Sequence, residues 1–356
     1  MVDGSIMKEH LKKINRKFDT TDKSKYDYVL NQSERSNHLP FIHWKRFLKT
    51  ISQEDFFFYP NTQPLVEKIA NHKYYNLTTD NIFLCAGSDV GIKTIFETFT
   101  NGGRVITTDP SFPMYKVYSE LYQCEYFGIP HEKDYTISIE KILSNITHET
   151  DLIILANPNS PMGEYKSFDE IIPLLEQDVP VVIDEAYLEF THMDSHEHHS
   201  LIKYIDDYPN LIVTRTFSKG WGGAGCRVGM VVSNKDNIEL ISKFRHMYEI
   251  SGISMRWVEF FLDNFGIVED YWKDVLNEKT KLHYMLRNFE IIDSNCNWIH
   301  FNTADDNKKT IEVFKKHKVL VKYCELPHDK RHNWCRLTIK PEMCDEPFIQ
   351  ELIDAY

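Results

Sequence analysis

The chain has 356 residues and a formal net charge of −12 at neutral pH, enough for a large buried core divided between one large and one small domain, and its acidic balance argues against nucleic acid as a partner. Hydrophobic residues make up 42%, but no apolar run nears the ~18 residues that cross a bilayer, so no membrane span is expected. The seven cysteines are scattered from Cys85 to Cys344 without a CxxC pair, and Met1 to Asp19 carries no apolar signal core, which together point to free thiols in a reducing cytoplasm.

Residues 1–25 read as a polar, partly helical lead-in to YDYVLNQSERSNHLP. FFFYPNTQPLVEKIA (56–70) is an aromatic run, a turn at Tyr59-Pro60 and a helix whose Leu65 and Ile69 suit a buried face. NIFLCAGSDVGIKTIFETF (81–99) reads as a strand, a turn at Gly87 and a helix capped by Ser88 or Asp89. Free N–H groups and the positive dipole end make such a helix start a ready phosphate site. GRVITTDPSFPMYKVY (103–118) is a second strand and turn, with Phe112 two residues past a proline. DLIILANPNSPMG (151–163) is an apolar strand ending in a double-proline turn that carries Asn157, Asn159 and Ser160. VPVVIDEAYLEF (179–190) is a buried strand ending in Asp184, Glu185 and Tyr187. A carboxylate after four apolar residues is costly to bury without a cationic partner. THMDSHEHHS (191–200) gathers His192, His196, His198 and His199, but the segment is polar and follows a strand, so it reads as a solvated loop and no metal is assigned.

LIVTRTFSKGWGGAGCRVG (211–229) opens with a buried β-branched run, continues through a polar segment from Thr214 to Lys219, and ends in glycines that let the backbone approach a ligand. Strand ends in α/β sheets are where ligands bind, and a partly desolvated lysine there can shed its proton and attack a carbonyl. Residues 235–260 read as helical, and a long charged helix runs from about Phe260 towards Arg287. A small α/β unit completes the chain: strand WIHFN (298–302), a helix near 307–317, strand VLVKY (319–323), strand WCRLTIK (334–340) and a last helix from Glu346.

The lysine segment resembles that of the fold-type I pyridoxal-phosphate (PLP) enzymes, in the form seen in the histidinol-phosphate aminotransferase family. Thr216 and Ser218 stand three and one residues before Lys219, and Arg227 stands eight after it. The resemblance covers roughly residues 55–340. It implies an α/β fold of the PLP-dependent transferase type: a large domain (41–250) built on a mostly parallel seven-stranded sheet between helices, and a small α/β domain from residues 1–40 and 251–356. It implies that Lys219 forms the Schiff base with PLP and shuttles the substrate Cα proton. Thr216, Ser218 and Arg227 would hold the cofactor phosphate together with the turn at Ser88 and Asp89. Phe112 would stack on the ring, Asp184 would keep the ring nitrogen cationic, and Tyr187 would meet the ring oxygen. Ser160 replaces the family's ring-oxygen asparagine, which leaves Ser160, Asn159 or Asn157 to reach that atom. Tyr59 would cross to the partner subunit's cofactor phosphate, implying a homodimer with shared sites.

On the substrate side, the resemblance assigns the α-carboxylate to Arg336 and a substrate phosphate to Lys322, which keeps the family's charge but loses the arginine fork; Arg331 and His332 lie nearby in sequence. Arg35 and Ser36 replace a family Asn-Pro, and Met247 and Glu249 are further departures, Glu249 adding negative charge near the pocket. The implied activity is ping-pong transfer of an amino group between an amino acid donor, glutamate, and a small phosphorylated carbonyl compound of the histidinol-phosphate kind. Two alternatives stand beside it: decarboxylation of an O-phospho amino acid on the same fold, and a non-catalytic protein of this fold, against which the intact Lys219, Asp184 and Arg227 argue.

Overall fold

The computed structural model describes residues 9–16, 19–191, 199–303 and 307–356. The N-terminal segment contributes β1 (Tyr28–Val29). A seven-stranded sheet follows, from β2 (Ile82–Cys85), β3 (Arg104–Asp109), β4 (Glu125–Pro130), β5 (Thr150–Ala156), β6 (Val181–Asp184), β7 (Leu211–Thr216) and β8 (Gly229–Ser233). Its order is β2-β8-β7-β6-β5-β3-β4, parallel from β7 to β4, with β8 antiparallel to both its neighbours.

These strands are apolar on both faces because helices cover both. Along β2, Ile82 and Leu84 point into one core while Phe83 and Cys85 point into the other. Ile153 and Leu155 alternate with Leu152 and Ile154 in the same way on β5. The parallel strands place Ala156, Asp184 and Thr214 side by side at their C-terminal ends. The strand order reverses between β5 and β3, the kind of switch point at which α/β sheets open a ligand crevice.

A second, antiparallel sheet has the order β12-β13-β10-β9, from β9 (Ile291–Ile292), β10 (Trp298–Asn302), β12 (Lys322–Leu326) and β13 (Asp329–Thr338). The intervening β11 (Val319–Leu320) pairs in parallel with β1 instead, Tyr28 opposite Val319. The N-terminal segment therefore docks on the C-terminal part of the chain, and Leu30 is fully buried there. The expected strand over 319–323 is thus two strands with different partners, separated at Val321.

Two helical expectations also change. Residues 235–260 hold a helix at Lys235–Ile241, an irregular stretch, and a second helix at Gly252–Asp263 capped by the Ser251 side chain. The long helix starts at Phe265 rather than Phe260 and ends at Met285. No helix among the described residues is long and apolar enough to cross a membrane.

Candidate active site

A cavity of about 610 Å³ opens where the C-terminal ends of the parallel strands face the second sheet. Lys219, Asp184, Tyr187, Phe112, Ser160, Thr216, Ser218, Ser88, Asp89, Arg227, Lys322 and Arg336 all line it. Of the expected site residues, Asn157, Asn159, Tyr59 and Glu249 lie outside that lining.

Lys219 follows β7 and a one-residue step beyond Ser218. Its Nζ donates to the backbone oxygen of Gln32 at 2.7 Å and lies 5.4 Å from the Tyr187 ring centre. The Tyr187 ring meets Trp298 edge-on at 4.7 Å, and the Trp298 ring in turn carries the Arg336 guanidinium at 5.0 Å. A line of aromatic contacts thus joins the lysine on the large sheet to the arginine on the small one.

Asp184 ends β6 and is buried. The Thr214 hydroxyl donates to Oδ1 at 2.8 Å and the Tyr115 hydroxyl to Oδ2 at 2.9 Å. Burial pushes the carboxyl above its ordinary pKa, and the two hydroxyl donors oppose that rise. Tyr115 escaped sequence reading; its only signal is a place one helical turn after Phe112, whose ring it meets edge-on at 5.5 Å.

At the other end of the cavity, Gly87 caps the helix Ser88–Phe99 with φ 86° and ψ 155°. This corrects the expectation that Ser88 or Asp89 is the cap: both sit in the first turn, and the Asp89 carboxylate accepts from the Tyr118 hydroxyl at 2.8 Å. Thr216 and Ser218 hydroxyls are 2.9 Å apart, and Arg227 Nη1 reaches Ser218 Oγ at 3.4 Å. Arg227 has a left-handed backbone, φ 52°, which turns its side chain back towards the Gly87 turn. A Cβ on Gly87 would lie 2.4 Å from Arg227 Nη2.

Some expectations move. Asn159 is fully buried, accepts from Met162 N at 3.2 Å and donates to Thr108 Oγ1 at 3.2 Å, so its amide braces the proline turn. Asn157 is likewise held by the Lys166 backbone through two 2.8 Å bonds. Of the three candidates in this turn, the structure brings only Ser160 to the cavity. Glu249 lies behind the Gly87 turn, accepting from the Ala86 backbone, and is not part of the lining. Arg35 lies over the Tyr271 ring at 4.3 Å and donates to Asn37. Tyr59 is 79% exposed and stacks on Tyr248 at 4.3 Å. His199 packs on Tyr165; His192, His196 and His198, and the side chains of Arg331 and His332, lie outside the described residues. Among the described residues no cluster of metal-binding side chains occurs.

On the second sheet, His300, Arg336 and Lys322 are consecutive cross-strand partners on β10, β13 and β12. Arg336 Nη2 donates to the Asn31 backbone oxygen at 3.1 Å. Desolvation, and then the neighbouring Arg336, lower the Lys322 pKa, although its side chain stays open to the cavity. Beneath the site, Arg215 is buried between Glu185 (2.8 Å) and Glu189 (2.7 Å) and donates to the Tyr74 hydroxyl at 2.8 Å.

The profile of aminotransferase class I and II matches residues 30–355. The chain belongs to that family. It is 31% identical over 323 residues to the histidinol-phosphate aminotransferase of Clostridium botulinum, over 86% of this chain and 85% of that protein. It is 29% identical over 342 residues to the histidinol-phosphate aminotransferase of Brachyspira hyodysenteriae, over 92% of each. The solved histidinol-phosphate aminotransferase from Sinorhizobium meliloti in complex with PLP shares the fold with a TM-score of 0.83 at 17% identity, over 99% of this chain and 96% of that one.

A class I and II aminotransferase is a PLP enzyme, and the residues present fit that cofactor. The buried Asp184 has no ion-pair partner among the described residues, as suits a carboxylate awaiting a cationic ring nitrogen. The opposite end offers a helix N-terminus, two hydroxyls and a guanidinium, with a turn so close to Arg227 that any side chain would fill the gap.

Proposed function

We propose that this aminotransferase moves an amino group between glutamate and a small phosphorylated carbonyl compound of the histidinol-phosphate kind. The observation that carries this reading is the placement of two cations, Lys322 and Arg336, as cross-strand partners over the cavity that holds Lys219 and Asp184. Arg336 suits a substrate α-carboxylate because its fork pairs with two oxygens, while Lys322 offers a point charge to a phosphate.

Bound PLP supplies an electron sink for the bond broken at the substrate Cα. Lys219 would attach the cofactor, and its Nζ would act as the base that takes up the substrate Cα proton. Asp184, braced by Tyr115 and Thr214, would hold the proton on the ring nitrogen. Ser88, Asp89, Thr216, Ser218 and Arg227 would surround the phosphate, Phe112 would cover the ring, and Tyr187 and Ser160 would face its oxygen. The exposed run Phe56, Phe57, Phe58 and Tyr59, 64% to 79% accessible, supports a homodimer in which Tyr59 enters the partner's site. Residues 41–250 then carry the cofactor, and residues 1–40 with 251–356 form the small domain.

Lys322→Ala tests the substrate reading. Because the Lys322 side chain is open to solvent, the lost pair is worth on the order of 1 kcal/mol, a roughly fivefold rise in KM for the phosphorylated partner, with the glutamate half-reaction unchanged. The Lys322 charge is lost as pH rises through its lowered pKa. The wild type therefore sheds affinity for the phosphorylated partner at a pH below that of an ordinary lysine, and the variant lacks this step. Unchanged kinetics with the phosphorylated partner would overturn the phosphate reading in favour of an unphosphorylated keto acid or aldehyde.

A further inference from the structure

His300 is fully buried at the edge of the cavity, and neither of its ring nitrogens has a hydrogen-bond partner. Arg336, its cross-strand partner, has a matching defect: Nε is buried and unpaired, while Nη2 is drawn off to the Asn31 backbone oxygen. An arginine can only donate, and a neutral imidazole has one acceptor nitrogen, so the two unpaired groups are complementary. Burial and the adjacent Arg336 and Lys322 push the His300 pKa down to about 3, so the ring keeps its acceptor throughout the working range. Two buried unpaired groups on facing strands are unfavourable in the ligand-free protein.

We infer that His300 is the positioning residue of Arg336: a His300 ring nitrogen accepts the Arg336 Nε–H once the guanidinium turns from Asn31 onto the substrate carboxylate. This rests on the reading that Arg336 binds that carboxylate. Trp298, two residues before His300 on β10 and on the same face, already supports the flat side of the guanidinium. His300 would fix its edge, leaving the two Nη groups free for the carboxylate oxygens. The substrate class so selected is an amino acid held by a planar, two-point carboxylate contact, and His300 acts on it only through Arg336.

The test uses the PLP-loaded enzyme and glutarate, an unreactive dicarboxylate, with binding read by titration calorimetry. His300→Leu should weaken glutarate about tenfold, and His300→Gln, which keeps an acceptor, should recover most of the loss. KM for glutamate should rise in parallel while kcat stays near the wild-type value. The ligand-free His300→Leu protein should melt no lower than the wild type, because leucine removes two unpaired polar atoms from the interior. Wild-type glutarate affinity in His300→Leu, or a lowered melting temperature with no rescue by glutamine, would overturn the inference. Arg336→Gln separates the two layers. If it weakens glutarate and His300→Leu does not, only the positioning role falls; if it leaves glutarate binding intact, the carboxylate reading of Arg336 falls with it.

Discussion

Replacing Gly87 with alanine should loosen the phosphate end of the cavity without touching a proton-transfer group. Gly87 has φ 86° and ψ 155°, a region essentially reserved for glycine, where another residue costs about 1–3 kcal/mol. The new Cβ would also lie 2.4 Å from Nη2 and 3.0 Å from Cζ of Arg227. The guanidinium is the far end of a flexible side chain, so it would yield, and the phosphate would lose at least one charge-assisted bond worth about 1.5–3 kcal/mol. PLP retention should then weaken by about ten- to a hundredfold. The control is Gly225→Ala, whose Cβ meets nothing within 4 Å. The assay strips PLP from each protein and titrates it back, following visible absorbance, while melting of the apoprotein reports backbone strain separately. If Gly87→Ala rebinds PLP with wild-type affinity, the Gly87–Arg227 cradle is not the phosphate site.

Two further predictions concern assembly and stability. Where Tyr59→Phe alone is impaired, mixing Tyr59→Phe and Lys219→Ala subunits should restore activity above both parents, since a shared-site dimer gathers both lesions in one site; a monomer by analytical ultracentrifugation, or no recovery in that mixture, would contradict sharing. Arg215→Ala should destabilise the protein by about 3–5 kcal/mol in urea unfolding, because Glu185 and Glu189 stay buried without their cation, and a loss below about 1 kcal/mol would show that the carboxylates find other partners.

The lysine segment was legible because its parts lie within seventeen residues: β7, the turn and Arg227 are local, and Thr216, Ser218 and Lys219 fall together at one strand end. Asp184 was legible for a related reason, as a carboxylate that no apolar strand would carry idly. The helix cap and the placement of Asn159 depend on local geometry that residue types leave open. Gly87 rather than Ser88 caps its helix because the backbone turns through positive φ there. Asn159 has the right chemistry for a ring oxygen, but the fold of the proline turn spends its amide on Thr108 and Met162. Features that depend on register across long separations left no trace. Arg215 reads as one polar residue after a strand, yet it is the last-but-one residue of β7, and its partners come from positions 74, 185 and 189. The pairing of His300 with Arg336 joins strands 36 residues apart, and neither residue alone signals it.

In the proposed reaction this PLP-dependent aminotransferase takes its amino group from glutamate through Lys219. The most direct measurement is the isolated half-reaction. Glutamate added to the PLP-loaded enzyme in the absence of any acceptor should abolish the visible absorbance, release one 2-oxoglutarate per site and no carbon dioxide, and do neither in Lys219→Ala. Unchanged absorbance with no 2-oxoglutarate would remove glutamate as the donor, and carbon dioxide released from an O-phospho amino acid in its place would make the protein a decarboxylase on this fold.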